Sequence, residues 1–192
     1  MDVYDAIMGR RMVGKVQDRL VPKQEIEVLL AAALAAPNHH LTQPWRFIIL
    51  SGDALDELGA AMAERVIEEH QGSADLADKV EKEKSRPKRA PVIITVVYVP
   101  SSHPKAIEVE DRYALGAAVE NLLLAAKGRN IGASWRTGPA AEDTSVKRFL
   151  GLSEGEEIAG FIYIGYPQEG ATPPARREQD SATKTIWRGA IL

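Results

Sequence analysis

The sequence predicts an α+β or α/β layered domain, in which a small sheet is flanked by helices. The first observation is the order of the hydrophobic patterns along the chain, which reads helix, helix, strand, helix, strand, helix, strand, helix, strand. The second is the segment from Pro91 to Val99, which is apolar at nearly every position, as expected for a central strand covered on both faces. The strands are too few and too irregularly spaced for an eight-stranded barrel.

The first half of the chain predicts two helices, a strand and a third helix. A short helix fits residues 2–9, and a second one begins near Pro22 and ends before Pro37. The apolar face of the second helix comprises Ile26, Leu29, Leu30, Ala33 and Leu34. Residues 45–50, WRFIIL, have the β-branched and aromatic composition of a buried strand. A third helix follows, whose apolar positions are Leu55, Leu58, Met62 and Val66.

The middle of the chain contrasts a charged tract with two strongly apolar elements. The tract from Asp75 to Arg89 has too little apolar surface to enter a core, so we expect a solvent-exposed flap there. The strand from Pro91 to Val99 follows. From Tyr113 to Lys127 the pattern is apolar almost all round, which predicts a buried helix, and Gly128 stands where a C-terminal cap is expected.

The last third predicts a short strand, a small helix and a final strand before a Pro- and Arg-rich tail. Residues 132–138, GASWRTG, suit a short strand or extended turn, and a helix is expected from about Asp143 to Leu150. Residues 158–166 predict the closing strand. No linker divides the chain, so residues 1–192 are expected to form one domain. Apolar residues of the tail over 170–192 are expected to pack on a partner subunit: Ile186, Trp187, Ile191 and Leu192.

Composition argues against several classes of function. The 24 Lys and Arg against 27 Asp and Glu give a formal net charge of −3, so no overall field attracts nucleic acid or an anionic membrane. The longest apolar runs are about half of the ~20 residues that a membrane helix requires. The chain has no cysteine, which excludes disulfides and thiolate chemistry and fits a reducing compartment. We therefore expect a cytoplasmic protein, without a metal site because the adjacent His39 and His40 rarely converge on one ion.

Three segments carry polar residues at positions where folding alone does not require a polar side chain. One follows the first helix, one lies in the loop before the first strand, and one lies in a short extended segment between glycines. By residue type alone, the arginine pair could be a solvated helix C-terminus, and Arg136 must either reach the surface or pair with an anion. A core-packed histidine is the alternative for His39. The candidate site residues are Arg10, Arg11, Met12, His39, Gln43, Trp135, Arg136 and Thr137.

In combination these segments resemble the nitroreductase family. The pattern is an Arg-Arg pair near residue 10, an amphipathic helix, Ala-Pro, a short loop, and Gln-Pro-Trp-x-Phe entering a strand. It continues through PVIITVV, the long apolar helix, GASWRTGP and IAGFIYIGYP, and so spans roughly residues 2–168. The resemblance is strongest to short bacterial members of the family.

The resemblance implies an α+β nitroreductase-like fold, with a small, mostly antiparallel sheet, that forms an intertwined homodimer with FMN at its interface. By similarity, Arg10, Arg11 and Met12 match the segment that binds the phosphate, ribityl and pyrimidine end of FMN. His39 and Gln43 match the loop that borders the flavin. Trp135, Arg136 and Thr137 match a second wall or a phosphate contact. Met12 and Leu41 stand where larger members have Ser and Asn, and whether Arg176 or Arg177 reaches the phosphate stays open.

The implied function is electron transfer from NADH or NADPH through FMN to a small organic acceptor such as a nitroaromatic or a quinone. Residues 68–112 are expected to be partly a flap-like insertion that controls access. No side chain is required as an acid or base, so no catalytic residue is named. Two alternatives stay open: an FMN-binding or storage protein with little turnover, and the same fold with another flavin reaction, such as reductive dehalogenation or dehydrogenation.

Overall fold

A single antiparallel sheet of four strands is the centre of the computed structural model, which describes residues 1–177 and 179–189. The strand order is β1-β2-β4-β3, so β2 and β4 are central, as predicted for the apolar segment from Pro91 to Val99. The predicted α+β fold with a small sheet is confirmed. The strands are β1 (Trp45–Ser51), β2 (Val92–Tyr98), β3 (Gly132–Arg136) and β4 (Glu157–Gly165).

Helices cover both faces of this sheet. In chain order they are α1 (Val3–Gly9), α2 (Lys23–Leu34), α3 (Asp53–Glu69), α4 (Leu76–Ser85), α5 (Glu108–Gly128), α6 (Pro139–Glu142) and α7 (Thr144–Phe149). Helices α2 and α5 pack together on one face, and α3 and α7 pack together on the other. The helices expected from the sequence are all found in this part of the chain; α4 and α6 were not predicted.

The alternation of side chains along β2 divides the core into two halves. Ile94 faces α2 and α5, where it joins a cluster with Leu29 and Leu122, while Ile93 faces α3 with Leu58. All five of these side chains are fully buried. A strand covered on both faces cannot alternate between apolar and polar residues, which is why the sequence of β2 is apolar at nearly every position.

The charged tract from Asp75 to Arg89, which was expected to be a solvent-exposed flap, forms α4 over Leu76–Ser85, and this helix packs against α3. The helices meet at Gly59, where a Cβ atom would overlap the carbonyl oxygen of Lys84. The sequence did not predict this helix, because its contact with α3 uses backbone rather than apolar side chains. The wider range 68–112 also contains all of β2 and the start of α5, so its irregular parts are short connections such as residues 99–107.

The two ends of the chain differ from the core in their exposure. Helix α1 buries none of its residues. The tail beyond β4 forms one short 3-10 turn among its described residues, and Ile186 and Trp187 are exposed. Ile191 and Leu192, which were expected to pack on a partner, lie outside the described residues. Between residues 1–177 and 179–189, no helix has the length and apolar character needed to cross a bilayer.

An ion pair between α5 and β4 gives a pH-dependent test of the fold. Arg112 donates two hydrogen bonds to Glu157, at 3.0 and 2.8 Å, and these bonds hold the pKa of Glu157 below its ordinary value. A lowered pKa in the folded state stabilises the protein above the unfolded-state pKa, and this contribution is lost as the pH falls through the folded-state value. Because both side chains are about half-exposed, we expect the contribution to be below about 1 kcal/mol.

We therefore expect Glu157→Gln to lower the free energy of unfolding slightly at neutral pH and to have no effect in acid, where the wild-type carboxyl is protonated. Urea unfolding at both pH values measures this difference. An equal loss at both would show that the carboxylate charge contributes nothing.

Candidate functional site

The first and third predicted segments are neighbours at the edge strand β3. After α1 the chain runs alongside β3, and the backbone N–H of Val13 donates to the carbonyl of Ala133 at 3.0 Å. A Cβ atom on Gly14 would lie 3.6 Å from Nη2 of Arg136. The structure therefore brings the segment of Arg10 to Met12 close to the segment of Trp135 to Thr137.

Arg10 and Arg11 are held in different ways. Nε of Arg10 donates to Oε1 of Glu120 on α5 at 3.0 Å, which uses one of the five N–H groups of the guanidinium. Nη1 of Arg11 donates to the carbonyls of Met8 and Arg10, at 2.7 and 2.8 Å, and so closes the C-terminal end of α1. Both side chains are partly exposed, so each retains donors for a ligand. Met12 is 48% exposed.

The tail adds a basic residue beside Arg11. Nη2 of Arg176 donates to the carbonyl of Ile7 at 3.0 Å, which ties the tail to α1. Arg11, Arg176 and Arg177 line an open cavity of about 800 Å³ together with Met8 and Gln179. We call this space the Arg11 cavity. The sequence left the role of the tail arginines open, and the structure places both of them on the same cavity as Arg11.

Trp135 and Arg136 are presented to opposite faces of the sheet. Trp135 pairs with Ile162, whose side chain belongs to the α2–α5 half of the core, whereas Arg136 pairs with Phe161 in the other half. The indole Nε1 of Trp135 donates to the carbonyl of Ala159 at 3.3 Å. This carbonyl is available because the register between β2 and β4 shifts at Ala159.

Gly160 makes room for that indole. It has φ +147°, and a Cβ atom there would overlap Nε1 of Trp135. Trp135 is nevertheless 42% exposed, so part of its side chain is accessible to a ligand or a second chain.

Arg136 and Thr137 open onto a second cavity, on the α3 face of the sheet. The guanidinium of Arg136 lies 5.6 Å from the ring centroid of Tyr163. Arg86 and Arg89, from the turn between α4 and β2, complete a cavity of about 320 Å³ that we call the arginine pocket. Arg86, Arg89 and Tyr163 were not predicted as site residues, because the first two lie in the charged tract that was expected to be a flap. The signal available was their position directly before the central strand.

The second predicted segment forms a constrained loop. His40, Leu41 and Gln43 adopt positive φ values of 55°, 55° and 46°. Non-glycine residues in this region are strained, and such strain is concentrated at functional sites. The backbone N–H of Gln43 donates to Oδ1 of Asn38 at 2.9 Å, and Nδ1 of His39 lies 2.8 Å from Oε2 of Glu110.

This loop lies away from the other two segments. His39 contacts Glu110 in the first turn of α5, whereas Arg10 contacts Glu120 of the same helix. Ten residues of α-helix correspond to about 15 Å along the axis. One chain therefore presents two separate parts of the candidate site, with Arg10, Arg11, Trp135 and Arg136 in one part and His39 and Gln43 in the other.

Sequence comparison gives a family for the chain. The Nitroreductase family profile matches residues 7–166. The Escherichia coli (strain K12) protein named "Putative NAD(P)H nitroreductase YdjA" is 31% identical over 168 residues, which cover 88% of this chain and 90% of that protein.

Solved structures agree with the sequence comparison. A nitroreductase-like family protein from Bacillus cereus has a TM-score of 0.82 at 26% identity, covering 98% of this chain and 97% of its own. A protein from Desulfovibrio desulfuricans, described as "a putative nitroreductase in complex with fmn", has a TM-score of 0.74 at 25% identity and covers 98% of each chain. The resemblance seen in the sequence is confirmed, and the chain belongs to the nitroreductase family, a family of oxidoreductases.

Proposed function

We propose that the protein is an FMN-dependent NAD(P)H oxidoreductase that reduces small organic acceptors such as nitroaromatics or quinones. The observation that carries the proposal is the convergence of Arg11 and the tail arginines on one open cavity, next to the edge strand that bears Trp135 and Arg136. The relatives support it, since one is named an NAD(P)H nitroreductase and another was solved with FMN. We further propose that it works in the reducing cytoplasm, which suits a chain without cysteine.

The residues of the Arg11 cavity fit the phosphate end of FMN. A phosphate prefers guanidinium partners, whose forked N–H donors match its oxygens. The carbonyl oxygens of Met8 and Ile7 orient Arg11 and Arg176 respectively, so both are pre-positioned. Glu120 does the same for Arg10. We assign Arg10, Arg11 and Met12 to the phosphate and ribityl end, and Trp135, Arg136 and Thr137 to the walls of the ring site.

We also propose that the site is completed in a homodimer. Helix α1 exposes Val3, Tyr4, Ile7 and Met8 to solvent, and Tyr113 of α5 is 72% exposed. Exposed apolar faces of this kind mark association surfaces. A second copy would also explain the separation of about 15 Å along α5, because His39 and Gln43 of the partner subunit could then border a flavin held by Arg10 and Arg11. We expect the tail, residues 170–192 of the single domain, to pack on that partner.

Bound FMN would supply the two-electron chemistry, accepting hydride from NADH or NADPH at N5 and passing the electrons to the acceptor. The chain itself binds and orients the reactants. Arg11 and Arg176 neutralise negative charge at one end of the site. Trp135 offers an apolar ring face that excludes water, and Thr137 lies at the strand end beside it. These roles require no acid or base from the protein.

Reconstitution tests this proposal. The purified protein is expected to bind FMN, and the visible absorbance of the bound flavin is expected to bleach rapidly with NADH or NADPH under nitrogen. Reoxidation by a nitroaromatic or a quinone should then restore the colour. A protein that stays colourless with added FMN would refute the proposal. One that binds FMN but is not reduced would be the storage protein, and steady-state assays with halogenated or amine substrates would reveal another flavin reaction.

A further inference from the structure

The arginine pocket concentrates positive charge that the described part of the chain neutralises only in part. Three guanidinium groups, those of Arg86, Arg89 and Arg136, line it. Nη1 of Arg86 pairs with Oε2 of Glu83 at 3.0 Å. Among the residues that the structure describes, no carboxylate lies within ion-pair distance of Arg89 or Arg136. Grouped arginines repel one another, so this arrangement favours an anionic ligand between them.

Two polar side chains beside these arginines are buried. Ser134 is 1% exposed, and its hydroxyl has no hydrogen-bond partner; it lines a small cavity of about 10 Å³ that shares Arg89, Arg136 and Tyr163 with the arginine pocket. Tyr163 is 8% exposed and lines both the arginine pocket and this small cavity. Burial raises the pKa of Tyr163, so its hydroxyl remains a hydrogen-bond donor at neutral pH. A buried hydroxyl without a partner is costly, so a hydrogen-bonding atom placed beside Ser134 would be stabilised there.

Apart from Thr137, the remainder of the lining is apolar. Met62, Pro139, Ala140 and Phe161 face the same space as the arginines. A volume of about 320 Å³ is at the lower end of the range for small-molecule sites, about 300–1,000 Å³. An inorganic ion would leave the apolar side chains without a contact. An aromatic ring that carries a planar, delocalised anionic group would use both parts of the lining.

We propose that the arginine pocket is a second anion site, separate from the Arg11 cavity, that takes the planar anionic end of an aromatic ligand. The proposal rests on the proposed function and extends it to Arg86, Arg89 and Tyr163. Two molecules carry this chemistry. One is an acceptor with a carboxylate on its ring, and the other is the flavin, whose pyrimidine edge is electron-rich when reduced.

The test compares Arg89→Gln with Lys88→Gln in the FMN-loaded protein. Arg89 is exposed on its outer side, so its loss should not unfold the chain. Lys88 is the neighbouring cation, pairs with Asp56 and does not line the pocket, so it is the matched control. Two quantities are measured: the ratio of kcat/KM for 4-nitrobenzoate to kcat/KM for the neutral 4-nitrobenzyl alcohol, and the midpoint potential of the bound flavin.

If the acceptor occupies the pocket, Arg89→Gln is expected to lower the kcat/KM ratio by about tenfold and leave the potential unchanged. If the flavin edge occupies it, the potential is expected to fall, because a positive charge that stabilises the reduced form is removed. Lys88→Gln should change neither quantity. Should Arg89→Gln match Lys88→Gln in both, the inference is overturned while the proposed function stands.

Failure of the proposed function would look different, because the protein would then not bind FMN. In that case calorimetric titration with 4-nitrobenzoate tests the pocket directly. Binding that Arg89→Gln abolishes and Lys88→Gln retains would support the anion site. Absence of binding to the wild-type protein would overturn it.

Discussion

Replacing Arg11 with alanine is expected to weaken FMN binding by about 2–4 kcal/mol, or roughly 30- to 900-fold in Kd. Arg11 lines the same cavity as Arg176 and is fixed by two carbonyls at the end of α1, so its guanidinium is pre-organised for a phosphate. The loss is large because a phosphate with two negative charges would lose a forked, charge-assisted contact in a partly enclosed site. Titration of the apoprotein with FMN, followed by fluorescence quenching, measures it.

The matched control is Arg148→Ala. Arg148 is also an arginine at the end of a helix, but it pairs with Glu64 at the surface and its side chain is 68% exposed. It lines neither the Arg11 cavity nor the arginine pocket. We expect its replacement to leave the Kd for FMN unchanged. Equal effects of the two substitutions would mean that Arg11 acts only through net charge, and no loss with either would remove Arg11 from the phosphate site.

Replacing Gly59 with valine is expected to destabilise the fold by about 1–3 kcal/mol. A Cβ atom at this position would overlap the carbonyl oxygen of Lys84 and lie 3.0 Å from its carbonyl carbon, and backbone atoms cannot rotate away as a side chain can. The loss should occur although valine has the better intrinsic helix propensity. Thermal unfolding should show a decrease in Tm of about 2–4 °C for each kcal/mol.

The neighbouring Ala60→Val substitution separates the clash from the general effect of valine in a helix. Ala60 is exposed on the same helix, so its replacement should cost only the difference in propensity, below about 0.7 kcal/mol. If Gly59→Val lowered the Tm no more than Ala60→Val does, the close packing of α4 on α3 at Gly59 would be contradicted.

The arrangement of the core could be predicted because it depends on runs of apolar residues. The apolar stretch around Ile93 and Ile94 indicated a strand covered on both faces, and the structure places these neighbours in opposite halves of the core. Leu122 in turn belongs to a pattern that is apolar almost all round, which is typical of a buried helix. Such periodicity is a local property of the sequence, so it can be recognised without any knowledge of the tertiary structure.

The position of α4 could not be predicted by the same reasoning. Its contact with α3 depends on the missing side chain of Gly59, and nothing in the charged tract itself indicates a packed surface. The shift in register at Ala159 could not be predicted from the sequence either, because it depends on which residues of β2 and β4 lie opposite each other. Both features follow from long-range backbone contacts, which periodicity does not report.

The candidate site also has a part that the sequence predicted and a part that only the structure shows. The sequence singled out Arg11, Arg136 and His39 by residue type and by resemblance. Arg11 and Arg136 lie near each other because residues 13–16 pair with β3 and with Pro167, which are distant in the sequence. His39 lies elsewhere. Arg89 was missed because a cation in a charged tract looks like a solvated surface until the fold places it beside Tyr163.

A crystal structure of the protein with FMN tests the central proposal most directly. We expect the phosphate within hydrogen-bond distance of Arg11, and the ring system between Trp135 or Arg136 and the loop that carries His39 and Gln43 of the partner subunit. A flavin bound elsewhere, with Arg10 and Arg11 directed into solvent, would contradict it.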